Sequence, residues 1–341
     1  MIKNFFLGVV LITIVAACSS DQIVKNFPRS ESIKMNEVAI SNPLYSLGSM
    51  FTTEDYLVVY QSRMDTMFFS YYSLDDLHFV LGGGRRGQGP GEFTNSPNRN
   101  YFITEGNGFT SLNTPFFVHM DIEGEELNVV KKEAINTPLG LQPNNYSKID
   151  ENVYCITNID ISKPYEFILF DEEGENPVWI SPYPNWANIK EEFPMFTYGS
   201  FIVANQNLKR FIVFYANFRR VRMFDSQGEM LKDISIEFPF KCPSYEEGVG
   251  SKFITYSIPY SDDNYIYVLC HNAMSSEIKE STELQIWNWN AEPIAILSLD
   301  KGLRQFTISP EKRKIYATDP ISDVGNDKIY WCDLPDWLYK N

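Results

Sequence analysis

Six strand-like units, each a polar turn followed by apolar residues around an aromatic, recur about every 45 to 57 residues. A second unit, a strand running into an Asp-x-x-Gly-Glu turn, follows most of them in phase. Helical 3.6-residue periodicity is nearly absent, and 15% of the residues are aromatic, a composition that favours strands. Together these observations predict an all-β chain: a six-bladed β-propeller with four-stranded antiparallel blades.

The first unit opens with Glu54-Asp55-Tyr56-Leu57-Val58-Val59-Tyr60 and returns as Glu105-Gly106-Asn107-Gly108-Phe109. Asp150 to Ile156, Asn207 to Val213, Asp262 to Val268 and Pro310 to Ala317 complete six copies. The second unit runs from Phe117 to Asp121 into Gly124-Glu125, and from Phe167 to Asp171 into Gly174-Glu175. It returns from Val221 to Asp225 into Gly228-Glu229. A degenerate copy, Ile286 to Asn290, stands where the fifth is due. Asp opens such turns through its side chain, and Gly supplies the positive φ that closes them. The last repeat stops soon after Lys328-Ile329-Tyr330-Trp331-Cys332, one strand short. A strand near residues 32–40 is expected to supply it, so that N-terminal chain closes the ring and removes an exposed sheet edge.

Ahead of the repeats stands a targeting segment. Met1 to Asn4 carries one positive charge, Lys3, and Phe5 to Ala17 is apolar except for Gly8 and Thr13. As a helix this run reaches about 20 Å, too short to span a bilayer. It ends in Val15-Ala16-Ala17-Cys18, which resembles the lipobox of bacterial lipoproteins. That resemblance implies cleavage before Cys18, diacylglycerol on its thiol and an acyl chain such as palmitate on the new amino group. Residues 1–17 are therefore expected to be a lipoprotein signal peptide, 18–30 a lipidated N-terminus and tether, and 31–341 the propeller. Ser19 fits transfer to the outer membrane of a Gram-negative bacterium.

The net charge is −15, and removing residues 1–17 takes away a lysine and no acid. Such a surface repels phosphate backbones and anionic headgroups, which excludes nucleic acid as a partner and makes lipid the means of membrane attachment. Besides Cys18, the chain has Cys155, Cys242, Cys270 and Cys332, with no CxxC and no metal-ligand spacing. Exported chains pair cysteines, but Cys155 and Cys270 lie in apolar runs that suit free buried thiols. His78, His119 and His271 are too few and too dispersed for a metal cluster, and no nucleophile elbow or Cys/His pair is present. No cofactor is expected.

The segment Gly84 to Phe93, followed by Pro97, resembles the glycine-rich start of an NHL repeat. Gly106-Asn107-Gly108-Phe109 and Asp121 to Gly124 fill the later slots of that repeat in order. Across residues 30 to 335 the chain is similar to the six-bladed NHL- and TolB-like propeller lipoproteins of Gram-negative bacteria. This resemblance implies a fold more than an activity, because propellers host unrelated functions. The Asp-aromatic ladder of true NHL arrays is missing. Phosphate binding is a rival reading of the glycines, but no GxxxxGK[ST] pattern or βαβ unit supports it.

In a four-stranded blade, the inter-blade connections and the loops joining second to third strands emerge on one face. That places Arg85 and Arg86 with Asn113, Asn158, Asp160, Asn217, Arg219, His271 and Asn272. Arg85, Arg86, Asn113, Asn217 and Arg219 are the candidate ligand-binding residues. The adjacent arginines suit a carboxylate or sulfate, or they pair with acids of their own loop. Trp179 to Trp186 is expected to wedge between blades, with sugar stacking as its alternative, while Trp287, Trp289 and Trp331 are expected in the core. The polar run 272–283 reads as a surface loop, or else a lid. The leading reading is a non-enzymatic envelope lipoprotein whose propeller binds a protein, peptide or glycan. The alternative is a propeller lyase or hydrolase with its site at the central channel mouth.

Overall fold

The computed structural model describes residues 21–45, 47–64, 66–89, 91–141, 145–187, 194–237, 253–274, 280–319 and 326–339. Six antiparallel sheets follow one another around a ring. Blade one comprises, from its inner strand outward, Leu47–Thr52, Tyr56–Gln61, Phe69–Ser73 and Phe79–Gly83. Blade two comprises Phe102–Glu105, Gly108–Asn113, Phe116–Glu123 and Glu126–Ala134. Blade three comprises Tyr146–Asp150, Val153–Thr157, Tyr165–Phe170 and Val178–Pro182. Blade four comprises Ser200–Asn205, Arg210–Tyr215, Arg220–Asp225 and Met230–Ile236. In blade five, Phe253–Tyr256 and the short Tyr260–Ser261 both pair with Tyr265–Met274, and Thr282–Asn288 and Pro293–Leu299 follow outward.

Blade six takes Gln305–Ser309, Lys314–Thr318 and Asn326–Asp333 from the C-terminal chain. Its outer strand is N-terminal: Asn36–Leu44 runs antiparallel to Asn326–Asp333, with Val38 opposite Ile329 and Glu37 opposite Tyr330. The expected closing strand is therefore present, displaced a few residues toward the C-terminus from 32–40. Once Leu44 enters the core, ring opening must expose it.

The hairpins hold as their residue types require. In blades three and four, Asp171 and Asp225 accept the backbone N–H of Glu175 and Glu229 at 2.7 and 2.9 Å. Gly174 and Gly228 close these turns at φ of 74° and 85°. The degenerate fifth copy builds the same turn without glycine. Asn288 accepts the N–H of Glu292 at 2.9 Å, and Ala291 carries the positive φ.

Six clusters of buried apolar side chains lie between neighbouring blades, one at each junction of the ring. The strands read as aromatic-rich runs because each blade is covered on both faces by its neighbours. Trp287 is fully buried between blades four and five, with Phe27 edge-on to it at 5.1 Å and Phe214 at 6.1 Å. Trp289 is buried with it. Trp331 is half-buried, beneath the Lys314 ammonium. Cys155, Cys270 and Cys332 are buried and form no disulfide with one another. Cys242 lies outside the described residues.

The stretch 18–30, expected as a lipidated N-terminus and tether, is paired with the ring where it is described. Asp21–Val24 adds in parallel to the outer strand of blade four, and Arg29–Ile33 adds in parallel to the outer strand of blade five. Two outward-facing edges attract this chain, and Val24 and Phe27 bury their side chains in the junction between those blades. Cys18 and residues 1–17 lie outside the described residues.

Candidate functional site

On the face that carries the inter-blade connections, a cavity of about 640 Å³ opens where blades two, three and four meet. Six carboxamides line it: Asn95, Asn98, Asn100, Asn113, Asn145 and Asn158. A second cavity, of about 980 Å³, opens on the opposite face among the turns of the inner strands. Arg99 and Asn100 border both.

Local hydrogen bonds fix three of the carboxamides. Asn113 donates Nδ2 to the Asn95 carbonyl at 2.7 Å, and Asn145 donates Nδ2 to the Ser200 carbonyl at 3.1 Å. Each keeps its Oδ1, which accepts no hydrogen bond among the described residues, as an acceptor for a ligand. Asn158 is structural. Its Nδ2 serves the carbonyls of Asp160, Lys163 and Tyr165, and its Oδ1 accepts the Asp160 N–H. It therefore caps the loop between the second and third strands of blade three.

Beneath the cavity lies a charged network in the junction of blades three and four. Glu166, 3% exposed, accepts the Tyr215 hydroxyl on Oε1 at 2.8 Å, and on Oε2 the Ser181 hydroxyl at 2.7 Å and Arg222 Nη1 at 3.0 Å. Arg222 reaches on to Asp233 through Nε at 2.9 Å and Nη2 at 2.8 Å, and lies over the Trp186 ring at 4.4 Å. Burial pushes the Glu166 carboxyl up to about 7 against the pull of Arg222, Ser181 and Tyr215. Burial, with Glu166 adding to it, raises the Tyr183 phenol at the cavity wall to about 12. Both Glu166 oxygens are engaged by protein groups, an arrangement suited to holding a junction more than to moving a substrate proton. Trp186 meets Tyr198, Tyr215 and Phe218, so the Trp179 to Trp186 stretch does wedge between blades at its end.

Of the five predicted ligand-binding residues, the structure brings Asn113 to the cavity lining. Asn217 sits beside its wall and holds the carbonyls of Phe196 and Thr197 at 3.1 and 2.9 Å. Arg219 donates to Asn272 at 2.8 Å, bridging toward blade five. Arg85 and Arg86 line neither cavity. Arg85 Nε pairs with Glu92 Oε1 at 2.8 Å within its own loop, and Arg86 Nη2 donates to the Ser96 hydroxyl at 2.9 Å. The glycine segment is a turn: Glu92 accepts the Gly89 N–H at 2.8 Å, and a Cβ at Gly87 would collide with that carboxylate. Phe93 anchors the segment, buried against Phe68 and Phe69. His119 is held by Thr110 and Glu133, both at 2.8 Å, on the outer part of blade two. Much of the 272–283 run lies outside the described residues.

Sequence reading missed Arg99, which stands in Pro97-Asn98-Arg99-Asn100 just beyond the conspicuous glycine segment. Asn flanking a charged residue after Pro is a turn signal, but only the ring places this turn between the two cavities.

No protein-family model and no curated protein sequence matches the chain. Among solved structures, an exported protein of Bacteroides fragilis superimposes with a TM-score of 0.55 at 9% identity, over 92% of this chain and 100% of that one. A member of the DUF4221 family from Bacteroides vulgatus gives 0.53 at 13% identity, over 87% and 97%. A luciferin-regenerating enzyme gives 0.47 at 11%, over 87% and 94%. The first two likenesses show the propeller fold.

Proposed function

We propose that this chain is a cell-envelope lipoprotein, anchored through lipid on Cys18 in the outer membrane of a Gram-negative bacterium. Its propeller is a non-enzymatic binding module, and kinship with the NHL- and TolB-like lipoproteins is part of this reading. Support for the anchor is the lipobox and the apolar run before it. The ligand sits in the asparagine-lined cavity. What carries that reading is the set of amide groups that line it. Asn113 and Asn145 present carboxamide oxygens, and Asn95, whose side chain makes no hydrogen bond among the described residues, presents both a donor and an acceptor. Tyr183, Tyr198 and Phe201 supply flat apolar surface beside them. Neutral acceptors and donors beside aromatic faces match the alternating hydroxyls and C–H faces of a glycan. Lipid on Cys18 would stand only three residues from Asp21, docked on blade four, and so would hold the outer edge of that blade against the bilayer.

One observation favours an enzyme: a buried carboxyl raised to about 7 in a cavity lining is where acid–base chemistry is found. Glycan and peptide arrays probed with the full chain separate the readings. Glycan binding that Asn95→Ala and Asn145→Ala weaken at least 10-fold, with no turnover of the bound species, supports the binding module. Cleavage of a bound ligand, abolished by Glu166→Gln, would replace it with the lyase or hydrolase. Metabolic palmitate labelling lost in Cys18→Ala tests the anchor.

A further inference from the structure

Deepening the binding reading above, we infer that Arg99 is the specificity-determining residue of the cavity and that it selects a ligand bearing a carboxylate, an acidic glycan rather than a neutral one.

Arg99 stands at the tip of a connection held at nearly every residue. Asn113 binds the Asn95 carbonyl at 2.7 Å. The Ser96 hydroxyl donates to the Ser62 carbonyl at 3.0 Å and accepts from Arg86. The Tyr60 hydroxyl, from inside the core of blade one, donates to the Pro97 carbonyl at 2.7 Å. The Asn98 N–H donates to the Leu112 carbonyl of blade two at 2.8 Å. The Asn98 carboxamide accepts the Asn100 N–H at 2.8 Å, closing the turn around Arg99. This is a presentation platform built from two blades, and Arg86, expected from sequence to bind the anion itself, is one of its supports.

The platform carries a charge that no described residue answers. The Arg99 side chain is exposed, borders both cavities, and makes no ion pair or hydrogen bond among the described residues, in a chain of net charge −15. Among the described residues of the loop-face lining the one acid is Glu166, and both its oxygens are engaged by Arg222, Tyr215 and Ser181. The described acids of the other cavity, Glu54, Asp263 and Glu311, stand in turns that follow the inner strands, and none of them pairs with Arg99. An arginine fixed by its backbone, with its guanidinium facing space, is arranged for bidentate capture of a planar carboxylate. The neighbouring Asn95, Asn113 and Asn145 groups then meet hydroxyls on the same ligand.

The test uses the full chain in detergent against an immobilised panel of uronate- and sialate-bearing oligosaccharides. Their methyl esters and neutral counterparts lie alongside, with acidic peptides as a separate arm. Wild type should bind an acidic member about 10- to 100-fold more tightly than its ester, the worth of a charge-assisted pair. Arg99→Gln should bring the acid down to the ester and leave the ester unchanged, and Arg99→Lys should keep part of the preference. The acid preference should shrink with added salt in wild type and not in Arg99→Gln. Equal binding of acid and ester by wild type, or equal loss of both in Arg99→Gln, overturns the role of Arg99 while the cavity reading stands. Binding only to acidic peptides overturns the ligand class. Binding to no member of the panel overturns both readings.

Discussion

Replacing Glu166 with glutamine probes the charged floor of the cavity. In the unfolded chain this carboxyl ionises near its ordinary value of 4.5, and in the fold burial raises it to about 7. Between those values the folded state holds a proton that the unfolded state has released. The stability contributed by this site therefore falls as pH rises from about 4.5 to 7, and stays reduced above. The full shift corresponds to about 3 kcal/mol, of which about 2–3 kcal/mol develops between pH 5 and pH 8.5. A carboxamide is nearly isosteric with the protonated acid, and its oxygen can still accept from Tyr215 or Ser181. Unfolding by urea should then show Glu166→Gln close to wild type at pH 5. By pH 8.5 the difference should have moved in the variant's favour by that 2–3 kcal/mol. Taking the difference between the two proteins cancels the titration of the remaining acids. A difference that is flat with pH, or that moves toward wild type, would show that Arg222 keeps Glu166 ionised throughout. The floor of the cavity would then be anionic and would oppose a carboxylate ligand at Arg99.

Three further outcomes follow from the same geometry. Arg222→Met leaves Glu166 and Asp233 buried without their shared cation and should cost about 3–5 kcal/mol in urea unfolding. The loss should be smaller in the double variant with Glu166→Gln, since the two sites share one network. Trp287→Ala empties the junction of blades four and five and should cost about 3–5 kcal/mol. Hydrogen exchange in that variant should show residues 21–33 losing protection first, because Phe27 rests on the Trp287 ring. Burial raises the Cys155 thiol and pushes that of Cys332 up to about 12, so both stay protonated and shielded at neutral pH. Peptide mapping after treatment with a thiol reagent should find Cys155, Cys270 and Cys332 unlabelled in the native protein and labelled in urea. Rapid native labelling would contradict their burial.

The fold was legible because propeller blades are written locally. An aromatic strand such as Tyr56 to Tyr60 must be covered on both faces. A turn such as Asp225 to Glu229 needs its own Asp and Gly whatever surrounds it, and repetition of the two in phase counts the blades. Closure was legible for the same reason, as the strand missing after Trp331 left an edge that needed a partner. The docking of Asp21–Val24 and Arg29–Ile33 was not, because these polar segments carry no strong alternation and owe their pairing to edges formed elsewhere in the chain. The candidate site shows the same division. Charge and composition singled out an arginine-bearing, glycine-rich connection, and blade topology placed Asn113 on the face of the inter-blade connections, where it lines a cavity. Which arginine borders the cavities was decided by contacts within the loop and between blades. Glu92 captures Arg85, Ser96 engages Arg86, and Tyr60 and Leu112 from two blades hold the turn that sets Arg99 between the two cavities. Strand and turn identity depend on neighbours within a few residues, and one sequence states those directly. The aim of a side chain on a connection depends on partners that only the closed ring brings together.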